Sequence, residues 1–381
     1  NGNGGFISYL STGAIVNNIN INNASINKIG EANITYGFIT GYNIMATIKN
    51  SSVTNGTVII NNYMEYIKLG GIVGEANSAN VKNCFVQNLN IKVSNLLSNQ
   101  GIGGIIGYQN NGVTTNCYST GKIESNKEYV GGIVGYTTNK ISNCYSITNI
   151  QTSAGYIGGI VGYMSFTPGD QNSDNPIKYN LYLGNLYTSS NTSNRIVGNG
   201  DMGIGNVGYI DQSIIGAETD ESIIRLLDYE DLFKEDTYTK TLLWEDNNYD
   251  FSKLKDSCLP LLKSSDTGKV LYNQDDITLQ RNTLSINKIE TNKINEKLAE
   301  IRLEIKTRYE LKIKSIYIDN MNVEIEKNVY QNGITYLNIK ATPIKFLDNY
   351  KISKIIYIKN DKEEELEVQR RIDIRFYKEI F

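Results

Sequence analysis

Histidine is absent from all 381 residues, and that removes the commonest general base and the commonest metal ligand together. A Ser-His-Asp triad, a His-Glu-x-x-His zinc site and a histidine pH switch are all excluded within this sequence. Only four prolines and one tryptophan occur, so strands can run on without interruption and no polyproline segment is expected. No run of about 18 apolar residues is present, and no membrane-spanning helix is expected. The net charge of −3 argues against nucleic acid as a partner. Charge of either sign is scarce in the first half: residues 1–200 carry 10 basic and 7 acidic side chains of the 37 and 40 in the chain. A nearly uncharged Gly/Asn/Ser/Thr-rich half followed by a charged one places a boundary near residue 200.

What fills the first half is a repeat. Gly70-Gly71-Ile72-Val73-Gly74 returns as Gly103-Gly104-Ile105-Ile106-Gly107, Gly131-Gly132-Ile133-Val134-Gly135 and Gly158-Gly159-Ile160-Val161-Gly162. A second signature follows the first three copies: Asn83-Cys84-Phe85, Asn116-Cys117-Tyr118 and Asn143-Cys144-Tyr145. A degenerate copy is Tyr179-Asn180-Leu181-Tyr182, and fainter glycine motifs stand at Gly4 and Gly37. A fixed period of this size marks a solenoid whose units bury their apolar faces against each other. The β-branched pairs suit a pleated buried surface, and Asn tolerates the left-handed conformation of a corner. Gly71, Gly104, Gly132 and Gly159 remove every Cβ where backbone passes close to backbone. The expected fold is therefore mainly β, a parallel β-helix of about six repeats over residues 1–200.

In that fold Cys84, Cys117 and Cys144 stack in one column. The column reads either as a metal or disulfide site or as a ladder of small buried hydrophobes. One Cys per coil, with no CxxC pair, favours the ladder. The aromatics beside them point to the opposite face. Tyr118, Tyr145 and Tyr182 are candidate binding residues provided that they face outward, because aromatic faces give contact area at low entropy cost. Asp170, Asn172 and Asp174 have the alternate spacing of a calcium loop, but Asn175 stands where that loop needs glycine. Gly198 to Gly203 match G-x-G-x-x-G, yet Ile204-Gly205-Asn206-Val207-Gly208 starts no helix, so dinucleotide binding is rejected. Glu124 and Glu128 are the nearest approach to a catalytic acid pair in the repeats and read more simply as turn residues.

Residues 201–265 are expected to form a capping segment. Thr219 caps a helix bearing Ile223, Ile224, Leu226 and Leu227, and Trp244 anchors the aromatic packing. Residues 266–306 read as a linker and a charged helix over 286–306, with Ile294, Leu298, Ile301 and Ile305 on one face. Residues 307–381 alternate apolar and polar, with turns at Asn332-Gly333 and Asn360-Asp361, and read as a smaller α+β or β-sandwich-like domain. Glu363-Glu364-Glu365 read as a solvated strand approach. Beginning at Asn1 inside a repeat, the sequence is expected to be a mature or excised fragment.

The Gly-Gly-Ile-Val-Gly-Tyr and Ser-Asn-Cys-Tyr-Ser pattern, sharpest over Gly131 to Ser146, resembles the GLUG repeat of bacterial surface proteins. Phe233 to Tyr238, Leu243-Trp244, Tyr249-Asp250-Phe251-Ser252 and Leu259-Pro260-Leu261-Leu262 resemble the segment closing such repeats in IgA1-protease-like zinc metallopeptidases. That resemblance implies a secreted, cell-surface location and a zinc-dependent parent whose His-Glu-x-x-His motif lies elsewhere. The fragment itself would need no cofactor. It would be a non-catalytic substrate-binding and spacer module with immunoglobulin or another host protein as partner. The alternative is a surface adhesin for host matrix protein or glycan, without enzymatic activity. A polysaccharide-cleaving β-helix is disfavoured by the scarcity of acids.

Overall fold

The computed structural model describes the chain except residues 1, 30–32, 62–65, 95–99, 166–175, 189–193, 201–202, 210–213, 216–223, 228, 280–283, 296, 308–311, 332–333, 345–349, 360–361 and 373–381. Thr219, the calcium-like loop with Asp170, Asn172 and Asp174, and the turns at 332–333 and 360–361 thus lie outside the described residues. The chain divides into two compact units, Asn1–Gln280 and Arg281–Phe381.

The first unit is a parallel β-solenoid. One sheet stacks Gly2–Gly4, Ile34–Gly37, Ile67–Gly70, Gly101–Gly103, Val130–Gly131 and Ile157–Gly158 in register. The other faces are ladders in which Val73 pairs with Ile106, Ile106 with Val134 and Val134 with Val161. The interior is a column of fully buried Ile, Val and Leu, among them Ile48, Val81, Ile102, Ile133, Ile160 and Ile196. Coil strands continue beyond residue 200 at Val207–Tyr209, Ile214–Ile215 and Arg225–Leu227.

The two signatures have separate physical causes. A Cβ on Gly71, Gly104 or Gly132 would fall 2.2, 2.0 or 2.1 Å from the carbonyl oxygen of the equivalent glycine in the next coil. On Gly159 it would strike the Tyr182 ring at 2.1 Å. The Asn before each Cys turns a corner in the left-handed region: φ is 50° at Asn83, 50° at Asn116 and 54° at Asn143. Tyr179 takes that corner in the next coil, at φ 53°.

Residues 229–279 supply the short helical and aromatic elements expected after the repeats: turns at Asp231–Phe233 and Leu254–Asp256, a π-helix at Thr237–Thr241 and a hairpin of Tyr249–Asp250 with Leu261–Leu262. They form a strap along one flank, running back toward the first coils. Trp244 Nε1 donates to the Tyr179 carbonyl (2.8 Å), Tyr249 Oη to Asn143 O (2.5 Å), and Asn83 Nδ2 to Lys263 O (3.0 Å). At the far end Asp266 accepts from Asn17 (2.9 Å), Lys49 (2.5 Å) and Asn50 (3.2 Å). The chain then returns to place Gln274 on Tyr118 and Asp275 on Gln87. No helix of ordinary length spans the described part of 224–233. Ile224 and Leu227 are buried through the coil strand Arg225–Leu227, because a spacing of three within a short apolar run does not by itself distinguish helix from strand.

Among its described residues the second unit has seven antiparallel strands: β1 (Leu284–Asn295), β2 (Leu298–Thr307), β3 (Lys312–Ile318), β4 (Met321–Gln331), β5 (Ile334–Pro343), β6 (Tyr350–Lys359) and β7 (Lys362–Ile372). One sheet has the order β1-β2-β5-β4 and the other β3-β6-β7. This is the strand arrangement of a seven-stranded immunoglobulin-type sandwich. Both sheets contribute to one core, with Ile301, Leu303, Leu337 and Ile339 from one side and Ile316, Ile352 and Ile355 from the other.

The charged helix expected over 286–306 is replaced by the β1–β2 hairpin. Ile301 and Ile305 are four residues apart, a spacing shared by a helix face and by alternate strand positions. Ala299 and Leu303, also buried, settle the period at two. Glu363, Glu364 and Glu365 lie on β7, an edge strand, where Lys314, Tyr357 and Lys354 meet them at 2.5, 2.7 and 3.0 Å. A charged edge of this kind resists pairing with other chains.

Candidate functional site

The signature aromatics form the column expected for them, but not at a surface. Phe85 pairs with Tyr118 and Tyr118 with Tyr145, their rings stacked at 5.2 and 4.6 Å. The strap covers them: Tyr145 lies 5.9 Å from Trp244 and donates to the Pro260 carbonyl at 2.8 Å, and Tyr118 donates to Gln274 Oε1 at 3.0 Å. Tyr118, Tyr145 and Tyr182 are 0, 1 and 0% exposed. Tyr182 is not in that column at all. Leu181 pairs with Tyr145 and Tyr182 with Ser146, so its side chain turns inward and donates to Thr148 O and Asn185 O. A one-residue offset exchanges the faces of a strand, and the degenerate signature is offset by one. None of the three is available to a ligand, which corrects the expectation placed on them.

The cysteines are stacked and free. Cys84 pairs with Cys117, all four thiols of the chain are buried, and none is in a disulfide. Each of the three donates to the carbonyl two residues back, at 3.2, 3.3 and 3.2 Å for Cys84, Cys117 and Cys144. Burial pushes the Cys84 and Cys117 thiols well above the usual range, which disfavours thiolate and hence metal ligation. Asn180 continues the column, its Oδ1 accepting from the Cys144 amide and its Nδ2 donating to Asn206 Oδ1. Among the described residues no group of three or more Cys, Asp or Glu side chains is placed to hold a metal. Glu124 pairs with Lys122 and with Lys92, an arrangement of surface ions.

A different tyrosine column reaches solvent. Tyr9 pairs with Tyr42, Tyr42 with Glu75, Glu75 with Tyr108, Tyr108 with Tyr136, and Tyr136 with Tyr163. Tyr9 is exposed and the other four tyrosines are half-buried. Tyr108 and Tyr136 stack at 4.7 Å and 8°, Tyr136 and Tyr163 at 5.4 Å and 17°. Tyr129 and Tyr156, from the adjacent corner, stack on each other at 5.7 Å and meet this column edge-on at 5.2 to 6.1 Å. Aromatic pairs of this kind each contribute about 0.5–1.5 kcal/mol beyond area burial, so the rings are held in place before any ligand arrives. Lys68 sits at the break in the column: its Nζ lies 4.4 Å over the Tyr108 ring and 2.5 Å from Glu75, whose other oxygen takes Asn77 Nδ2 at 2.8 Å. Partial burial, the neighbouring Tyr136 and Glu75 raise the Tyr108 phenol, so it stays a neutral hydrogen-bonding group through the physiological range. Reasoning from the signatures missed this column, although a Gly-Tyr pair recurs visibly at Gly41-Tyr42, Gly107-Tyr108, Gly135-Tyr136 and Gly162-Tyr163.

Period, glycine register and Asn-Cys corner are consistent with a GLUG-repeat region over residues 98–151. The GLUG motif family matches residues 98–124 and 127–151, the coils that carry Tyr108 and Tyr136. Neither a curated protein nor a solved structure matches the chain. Among the described residues no helix is long and apolar enough to cross a membrane.

Proposed function

We propose that the chain is a non-catalytic binding and spacer module of a secreted bacterial surface protein. The observation that carries this reading is the contrast between the two flanks of the solenoid. One is sealed by the strap, while the other presents tyrosines on five of six successive coils, those of Tyr108, Tyr136 and Tyr163 stacked on one another. The rigid stack supplies reach, and the open flank supplies contact. In its finer form the module serves an IgA1-protease-like zinc metallopeptidase and engages its substrate. The resemblance of residues 233–262 supports this, and zinc would belong to a part bearing His-Glu-x-x-His. The alternative is an adhesin with no peptidase attached, for which the tyrosine flank alone suffices. The test is capture of immunoglobulin A, matrix proteins and glycans by the purified chain. Retention of immunoglobulin favours the peptidase form, retention of matrix protein or glycan favours the adhesin, and retention of nothing removes the binding role.

A further inference from the structure

We infer that the exposed tyrosine flank is a binding strip for a neutral polysaccharide lying parallel to the solenoid axis. This rests on the binding-module reading and narrows it to one ligand class.

Shape is the first argument. The strip from Tyr9 to Tyr163 spans five coil steps, about 24 Å at the usual strand spacing of about 4.8 Å. It is one or two side chains wide, the second column being Tyr129 and Tyr156. A folded protein partner needs a broad patch of about 800 Å² with an apolar centre, which a strip of this width does not offer. An extended chain of sugar rings fits it.

Charge is the second. Of the six strands that present the strip, Ile7–Leu10, Thr40–Ile44, Val134–Thr137 and Val161–Met164 contain no charged residue, while Val73–Ser94 carries Glu75 in the column with Lys82 and Lys92 further along, and Ile106–Ser125 carries Lys122 and Glu124 well beyond Tyr108. Glu75 interrupts the column, and Lys68 neutralises it at 2.5 Å. Glu128 also acts on the Tyr129 phenol, a field unfavourable to an anionic ligand, whereas hydroxyl groups would find phenols and the Asn77 amide.

Side-chain type is the third. Five outward positions in the column are tyrosine, with no leucine, isoleucine or phenylalanine among them. Phenols give an apolar ring for the C–H face of a pyranose and a hydroxyl for its polar rim. Stacking has already restricted the Tyr108, Tyr136 and Tyr163 rings, so little of their rotamer freedom is lost on binding. Tyr129 and Tyr156 are also held at φ 60° and 58°, a region that bulky side chains rarely enter. Glycine or asparagine would satisfy that corner without strain, and strained residues of this sort concentrate at binding sites.

The experiment titrates the full chain with cellohexaose, xylohexaose, chitohexaose and heparin, following heat by calorimetry. The proposal expects at least one neutral hexasaccharide to bind and heparin not to. Tyr136→Ala is expected to weaken that binding at least tenfold. Tyr129→Asn keeps a residue suited to the left-handed corner, and so separates loss of the ring from loss of the fold. It is expected to weaken binding at least threefold with the thermal midpoint unchanged or raised. Tyr317→Ala, in the second unit, serves as the control and leaves binding intact. Preference for heparin, or neutral-glycan binding untouched by both strip variants, overturns the proposal. If no glycan binds but the chain captures immunoglobulin or matrix protein equally with and without the substitutions, the strip is refuted and the binding module stands. Capture of neither refutes both.

Discussion

Replacing Gly104 by alanine tests the physical basis of the repeat. The new Cβ would lie 2.0 Å from the Gly132 carbonyl oxygen and 2.7 Å from the Ser119 side chain. An ordinary contact needs more than 3 Å, so the coils must separate locally by about 1 Å, against a ladder held at about 4.8 Å. The bonds nearest the wedge are Gly104 N–H to Gly131 O (3.2 Å), Ile105 N–H to Ile133 O (2.9 Å) and Ile106 N–H to Ile133 O (3.0 Å). At about 1 kcal/mol net for each of the three bonds weakened, and about 1–3 kcal/mol for overpacking, the loss is about 4–6 kcal/mol. Gly13→Ala is the matched control: φ is 80° there and a Cβ meets nothing within 4 Å, so only the left-handed strain of about 1–2 kcal/mol applies. Urea unfolding followed by fluorescence of Trp244, the only tryptophan, reads both variants, because its ring is buried between strap and coils. A Gly104→Ala midpoint equal to that of Gly13→Ala would refute the argument that backbone contact, rather than backbone freedom, demands glycine in the repeat.

Trp244→Ala is expected to destabilise the first unit by about 3–5 kcal/mol, since it removes a buried ring stacked on Tyr249 at 4.4 Å and a 2.8 Å bond to Tyr179; a loss under about 1 kcal/mol in denaturant melts would show the strap to be dispensable. In alkaline titration by phenolate absorbance, Tyr118, Tyr145, Tyr182, Tyr238 and Tyr249 are expected to ionise only on unfolding, because burial raises all five. A raised acid stabilises the fold below its unfolded value of about 10 and is lost as pH climbs toward the folded value, so one smooth titration of every tyrosine near pH 10 with the fold intact would contradict the sealed flank. The Lys49 hydrogen bond, with Asn17, lowers Asp266, so its hold on the first coils is present above about pH 3.9 and fades as pH falls through the lowered value. Hydrogen exchange at residues 264–269 should therefore quicken first in acid, and uniform quickening along the strap would count against a latch at Asp266. All four thiols should resist maleimide in the native protein and react on denaturation; fast native labelling of Cys117 would show that the ladder opens.

Much of the solenoid was legible because each of its causes is local. Period, glycine column and Asn corner all repeat within 27 to 33 residues, and an in-register stack turns one coil's reasons into the next coil's. The functional surface was less legible for the same reason. Two tyrosine columns follow from the repeat, one after Asn-Cys and one after Gly-Ile-Val-Gly, and nothing inside a coil says which stays open. In the second unit, Ile301 and Ile305 fitted a helix until their pairing with Ile339 and Thr335 fixed the strand period.

The sequence by itself determined the coil, its inward β-branched column, its uncharged flanks and the absence of histidine chemistry, because each depends on residue type and spacing alone. Tertiary structure alone decided which aromatics bury and which meet solvent. Residues 229–279 fold back over coils 65 to 249 residues away, as the Trp244–Tyr179 and Asp266–Asn17 contacts mark, and choose one flank. The same physics selected the sandwich: alternating strands of ambiguous spacing gain a core only by pairing across the chain, so long-range pairing, not local pattern, settled β1 and β2.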